Sequence, residues 1–315
     1  VGSVATCNYL ARDLGVKSGM SCVKAQKKAP ECVFLPVRKD YYLRVSENIM
    51  RVLRGYADAF EQVSVDEAYL NVSSKTDFKG AAGYAASLKA AVYEKEKLTL
   101  SVGAGPNKLI AKIASSEEKP DGIKIVPPAG VEGFLSPLPV KKIPGVGPKA
   151  AGKLVSLNVH SVSDLKALSV SQLTSLFGEA WGKKFFGYAR GADDSQVSER
   201  TKEQVGRMMS LKSNTKDKEE VLGVLSTLAD DVHARLSSSN KSFKTVSVVF
   251  VLSDLSMKTR SKTFSSPTNR KEVILLAQKH LVDSFLSQDS SEIRRVGVTL
   301  SSLSDLGGQT SLVDY

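Results

Sequence analysis

The sequence predicts a multidomain protein, α/β in its first part and α+β in its last. Three observations lead there. The chain has 315 residues and is 42% hydrophobic, long enough for two or three domains and apolar enough to give each a core. Residues 1–126 combine a hairpin with crossover helices, which argues for a mixed sheet covered by helices. Residues 205–302 run strand, helix, strand, strand, helix, strand. That is the split βαβ order, one antiparallel sheet with two helices on one face.

Taken in order, GSVATC reads as a strand and NYLARDLG as a helix closed by Gly15. Val45, Ile49, Val52 and Leu53 recur at helical spacing between Asp40 and Tyr56. EQVSVDEAYLNVS, residues 61–73, places two adjacent acids between short alternating runs, as a hairpin does. A helix over Ala81–Lys97, the strand LTLSVGAG, the helix KLIAKIASS capped by Asn107 and the strand GIKIV follow. Pro127-Pro128 mark a boundary. Residues 127–191 are a small helical domain around IPGVGPKAAGKLVSLNV, with the form helix, glycine hairpin, helix. Polar residues 192–204 are a linker. In the last domain RMMSLKSN, the hairpin KTVSVVFVLSD/SMKTRSKTFSS and IRRVGVTLSSL are strands, and VLGVLSTLADDVHARL and VILLAQKHLVDSFL are helices. Residues 303–315 form a tail.

The net charge of +11 suits a polyanion such as nucleic acid, bound through phosphate contacts and counterion release. It suits a membrane surface less, because no strongly amphipathic basic helix accompanies it, and no apolar run is long enough to cross a bilayer. Cys7, Cys22 and Cys32 lack metal-ligand spacing and have no nearby histidine, so they read as structural thiols of a reducing compartment.

Candidate sites begin with Asp66 and Glu67. Neighbours on a regular strand face opposite ways, so both reach one metal only where the strand breaks, and they fall at the hairpin joint. Magnesium takes one or two carboxylates and leaves its other positions to water and phosphate. Read alone, such a pair is more often a solvated turn. Thr6, Tyr9 and Arg12 stand at i, i+3 and i+6 at a helix entrance, a hydroxyl, a phenol and a guanidinium able to grip a triphosphate. The bland alternative is the polar face of an amphipathic helix. Lys119, just before Pro120, is placed to neutralise a phosphate, or is an ordinary surface lysine. Gly145 and Gly147 let backbone N–H groups approach a phosphate, with Lys149 and Lys153 adding charge, so this motif points to DNA backbone. Arg207, Lys212, Lys216, Lys258, Arg260, Lys262, Arg294 and Arg295 lie on strands while Asp230, Asp231 and Asp283 lie on helices. A basic sheet backed by acidic helices would track phosphates. In the tail, Gln309, Leu312 and Tyr315 have the spacing of a peptide that docks in the groove of a sliding clamp.

SVATCNYLARDLGVKSGM, SVDEAYLNVS, SVGAGPNKLIAKIASSEEKPDGI and IPGVGPKAAGKL, in this order and spacing, closely resemble the Y-family DNA polymerases of the DinB-like, archaeal lesion-bypass kind. The resemblance covers practically the whole chain. It implies a right-hand polymerase: fingers and palm in 1–126, a thumb with a helix-hairpin-helix to 191, and a little-finger domain in 205–302. It implies that Asp66 and Glu67 are catalytic metal ligands for two Mg²⁺ ions, and that Thr6, Tyr9, Arg12 and Lys119 hold a deoxynucleoside triphosphate. Ser3, Ala5 and Gly19 match the roof over the nascent base pair, and side chains so small leave that pocket roomy. Primer–template DNA is the expected substrate, a sliding clamp the expected partner, and a monomer the expected state. The location would be cytoplasmic in a prokaryote and nuclear in a eukaryote. The family also carries a metal-binding Asp and a bulky aromatic on an N-terminal strand, and no residue here corresponds. Further residues upstream of Val1 are therefore expected; the competing expectation is a non-catalytic DNA-binding scaffold docked on a clamp.

Overall fold

The computed structural model describes residues 2–199 and 203–306, and the chain divides into two compact units, 1–200 and 201–315. In the first unit, α1 (Tyr9–Asp13) is capped by the Asn8 side chain and α2 (Cys22–Lys28) by that of Ser21. A small core of Val16, Ala25 and Ala29 joins them. GSVATC was expected as a strand and is not one. Val4 exchanges backbone hydrogen bonds with Met20 and Gly19 at 2.8 Å, leaving one isolated bridge, Ser3 to Ser21.

The helix α3 (Lys39–Gly55) packs with α4 (Ala81–Glu96) over the hairpin of β1 (Ala59–Gln62) and β2 (Ala68–Asn71). Met50, Leu53, Phe60, Leu88 and Val92 form the buried seam. The strand β3 (Val102–Ala104) pairs parallel with β4 (Ile123–Ile125), and the crossover between them is α5 (Lys108–Glu117). A Cβ on Gly103 would lie 2.2 Å from the Ala111 carbonyl, so only glycine lets α5 lie this close to β3. The mixed sheet expected here resolves into two separate two-stranded sheets among the described residues, one antiparallel and one parallel.

Five short helices follow: α6 (Val131–Leu135), α7 (Pro148–Val155), α8 (Val162–Ala167), α9 (Val170–Phe177) and α10 (Glu179–Tyr188). Capping boxes at Ser161/Asp164 and Ser169/Gln172 start α8 and α9. Their core (Leu154, Leu165, Leu173, Phe185) is continuous with Ile110 and Ile113 of α5, so the helical body is fused to the crossover helix. The helix expected before the glycine hairpin is a single 3-10 turn, Val140–Lys142.

The second unit holds β5 (Gln204–Thr215), α11 (Lys218–Ser238), β6 (Lys241–Leu252), β7 (Met257–Thr268), α12 (Lys271–Leu286), β8 (Ile293–Ser301) and the short β9 (Ser304–Asp305). The sheet order is β5-β8-β6-β7, all pairs antiparallel, with β9 on the start of β6. This is the split βαβ arrangement. Val246, Val248, Phe250, Val296, Val298 and Leu300 face the two helices and are buried, and Phe250 stacks on Phe285 of α12 with centroids 4.0 Å apart. Among the described residues, no helix is long and apolar enough to cross a membrane.

Candidate active site and nucleic-acid interface

The β1–β2 hairpin pairs Gln62 with Ala68, and residues 63–67 form its end. The Glu67 carbonyl accepts hydrogen bonds from Val63 N (2.9 Å) and Ser64 N (3.2 Å), which closes the turn. The break in the strand required for two adjacent acids is therefore present. Ser64 Oγ donates to Asp66 Oδ1 at 2.6 Å, and Asp66 itself is exposed. Glu67 Oε1 accepts from Lys112 Nζ of α5, in a pair about one-third exposed on either side.

Beneath this rim lies a second, buried ion pair. Glu61 Oε2 meets Lys108 Nζ at 2.7 Å with the carboxylate side chain only 4% exposed. Lys108 also donates to the Gln196 carbonyl at 3.0 Å and lies 5.4 Å from the Tyr69 ring centroid. Tyr69 stands opposite Glu61 in the hairpin register. Burial, reinforced by the Glu67, Asp193 and Glu61 carboxylates, pushes the Tyr69 phenol up to about 12, so it stays neutral at physiological pH. Sequence reasoning missed both lysines. A readable signal existed: Lys108 and Lys112 are four apart on a helix, hence on one face, and two glutamates of the hairpin receive them.

The donor set of Asp66 and Glu67 fits a hard divalent cation, since both offer carboxylate oxygens at an accessible turn. Among the described residues, no group of three or more His, Cys, Asp or Glu forms a larger metal cluster.

The fingers motif is arranged differently from the expectation. The helix α1 has five residues and begins after Asn8, so Thr6 precedes it and does not share its helical phase. A helix this short provides no substantial dipole for an anion. Arg12 instead donates from Nε to the Cys7 carbonyl at 3.2 Å and lies over the Tyr9 ring at 5.7 Å, and all three side chains are exposed. The hydrogen bonds of Val4 to Met20 and Gly19 bring Ser3, Ala5 and Gly19 together on one exposed patch. Gly19 has φ +82, and a Cβ there would meet nothing within 4 Å. Lys119 sits in the turn after α5, exposed and without an ion pair among the described residues.

At the glycine hairpin, Gly145 has φ +91 and Gly147 N donates to the Gly145 carbonyl at 3.0 Å. Trp181 of α10 covers Gly145 so closely that a Cβ would lie 2.3 Å from its ring. Lys149 is exposed on α7, while Lys153 is partly committed to the Leu176 carbonyl at 3.1 Å. A cavity of about 420 Å³ beside the hairpin is lined by Lys112, Lys141, Lys142, Gly145 and Gly147.

The second unit corrects the basic-sheet expectation. Residues directly opposite in an antiparallel ladder share a face. Arg207 is opposite Val298, Arg260 opposite Val248, and Lys262 opposite Val246, and those three valines are buried under the helices. These cations lie on edge strands and turn toward the helix side. Arg207 pairs with Asp231 at 3.1 Å, Arg260 donates to Gln288 at 2.9 Å, and Lys258 pairs with Asp289. The acidic helices are likewise occupied: Asp283 pairs with Lys218 and Asp230 with Lys271. The open face carries Arg295 opposite Ser210, Lys212 by alternation from Ser210, and a ladder of hydroxyls. In that ladder, Thr245 pairs with Thr263 at 3.0 Å and Ser247 with Ser261 at 2.8 Å. Arg294, exposed, falls where the β6–β8 register shifts. Gln309, Leu312 and Tyr315 lie outside the described residues.

The impB/mucB/samB family matches residues 1–116, and its C-terminal domain matches 202–312. DNA polymerase IV 1 of Methanosarcina mazei is 46% identical over 322 aligned positions, covering 100% of this chain and 88% of the relative. A solved Y-family DNA polymerase chimera, Dbh-Dpo4(243-245)-Dbh, superimposes with a TM-score of 0.91 at 31% identity, over 97% of this chain and 88% of its own.

The chain belongs to the Y-family DNA polymerases.

DNA polymerase IV of Saccharolobus solfataricus, another relative, is 35% identical over 99% of this chain and 88% of its own length. An insertion ternary complex of Dbh DNA polymerase gives a TM-score of 0.69 at 31% identity, over 97% of this chain and 88% of its own. The helical body of this Y-family chain matches the thumb domain of DNA polymerase-iota over residues 141–193. Its fold is accordingly the right hand of the family, with the split βαβ unit as the domain that follows the thumb.

Proposed function

We propose that this Y-family chain performs template-directed DNA synthesis of low fidelity, tolerant of damaged templates, with two Mg²⁺ ions at Asp66 and Glu67. The observation that carries the reading is the hairpin end that brings the exposed Asp66 and the half-buried Glu67 side by side, on the same compact unit as the fingers patch and the glycine hairpin. When bound, the ions supply charge neutralisation for in-line phosphoryl transfer. Thr6, Tyr9, Arg12 and Lys119 supply donors and positive charge for the triphosphate of the incoming deoxynucleotide. Ser3, Ala5 and Gly19 roof the base pair with little side-chain volume, so misshapen pairs are weakly rejected. Gly145 and Gly147 grip duplex backbone through main-chain N–H groups, with Lys149 adding charge. In the second unit Lys212, Arg294, Arg295 and the hydroxyl ladder contact the duplex, while Arg207 and Arg260 tie sheet edges to the helix layer and Lys262 lies over Phe264 of its own strand. The tail residues Gln309, Leu312 and Tyr315 dock on a sliding clamp.

Primer extension with Mg²⁺ and all four deoxynucleotides, on intact and abasic templates, tests the reading. The double substitution Asp66→Ala/Glu67→Ala is expected to abolish extension while duplex binding persists. Extension that survives it refutes the assignment of the acids. Duplex binding without extension by the unsubstituted protein points instead to a scaffold.

A further inference from the structure

Two lysines of α5 meet two glutamates of the same hairpin, and the two pairs differ in kind. Lys108 is held by the buried Glu61 and by a second acceptor, the Gln196 carbonyl. It is locked in place. Lys112 has Glu67 as its side-chain acceptor at the rim, with the two side chains 33% and 40% exposed. Such a pair is weakly bound and easily exchanged. The oxygen it occupies, Glu67 Oε1, is one that a divalent cation would need.

We infer that Lys112 is a positioning residue that competes with the metal: its ammonium holds Glu67 in the metal-free chain and weakens coordination until it withdraws. This rests on the reading of Asp66 and Glu67 as metal ligands. An ammonium on Oε1 withholds that oxygen and stands close enough to repel an incoming cation, so lysine and metal oppose each other at Glu67. The withdrawn ammonium has somewhere to go. Its side chain lines the 420 Å³ cavity beside the glycine hairpin, which leaves it open space to swing into.

The test is Mn²⁺ binding to the full chain without DNA or nucleotide, followed by electron paramagnetic resonance of the free ion. Lys112→Met and Lys112→Gln are expected to lower the Mn²⁺ Kd by up to ~5-fold, the upper end of what one exposed ion pair contributes when it stops competing. Lys112→Arg, which keeps the charge, should stay near the unsubstituted value. In a Glu67→Gln background, Lys112→Met should no longer tighten binding. Unchanged affinity in both neutral variants overturns the inference, as does a gain that persists with Glu67→Gln. If Glu67→Gln alone leaves Mn²⁺ affinity unchanged, the metal reading falls with it, which separates the two failures.

Discussion

Replacing Gly145 with alanine perturbs the thumb hairpin in two ways at once. The backbone there has φ +91, a conformation that costs a residue with a Cβ about 1–3 kcal/mol. The new Cβ would also sit 2.3 Å and 2.7 Å from two carbons of the Trp181 ring, closer than carbon atoms approach. Trp181 is 45% exposed, so the ring can swing outward, but only by uncovering the hairpin. In a body of 200 residues, each kcal/mol shifts the melting temperature by about 2–4 °C, so the backbone cost alone lowers it by roughly 2–12 °C. If the N–H groups of Gly145 and Gly147 grip phosphate, the distorted hairpin should bind duplex about tenfold more weakly, a loss of about 1.4 kcal/mol. Fluorescence anisotropy of a labelled primer–template measures the affinity, and Trp181, the sole tryptophan, reports the ring by its emission. Adding Trp181→Ala should recover the part due to the ring and leave the backbone part. A Gly145→Ala protein with unchanged melting and unchanged affinity would refute this reasoning.

Two further outcomes are expected. Arg295→Ala, on the open face of the second sheet, should reduce the slope of log affinity against log salt by about 1, as loss of one phosphate contact does, whereas Arg260→Ala should leave the slope unchanged. Equal slopes for both variants would show that the face assignment does not govern binding. The Asp289 carboxyl is held well below the usual carboxylate range, chiefly by the hydrogen bond from Lys258 and then by those from Ser291. Its stabilising contribution is therefore fully present above the ordinary value of about 3.9 and is lost as the pH falls through that value toward the folded one. Urea midpoints of Asp289→Asn should lie below those of the unsubstituted protein at pH 7, and the gap should close below pH ~4.

Local chemistry was legible in the sequence. The spacing of Val45, Ile49, Val52 and Leu53 announced α3, Asn107 announced the start of α5, and the apolar residues recurring along VLGVLSTLADDVHARL and VILLAQKHLVDSFL announced the helices of the second unit, because these signals act within one or two turns. The break at Asp66–Glu67 was readable for the same reason. GSVATC misled, since a strand needs neighbours and its partner segment, residues 19–22, meets it only over Gly2, Ser3 and Val4. The Thr6–Tyr9–Arg12 phase misled because α1 starts after Thr6.

What the sequence determined by itself, then, is the order of elements, the family and the acids at the hairpin end, all encoded in contiguous residues. Only the tertiary structure decided which lysine faces which glutamate, and which cations of the second sheet point to its open side. Cross-strand register and helix docking set those answers. They depend on residues tens of positions apart: Lys112 meets Glu67 across 45 residues, and Arg260 turns to the helix side because its ladder partner is the buried Val248.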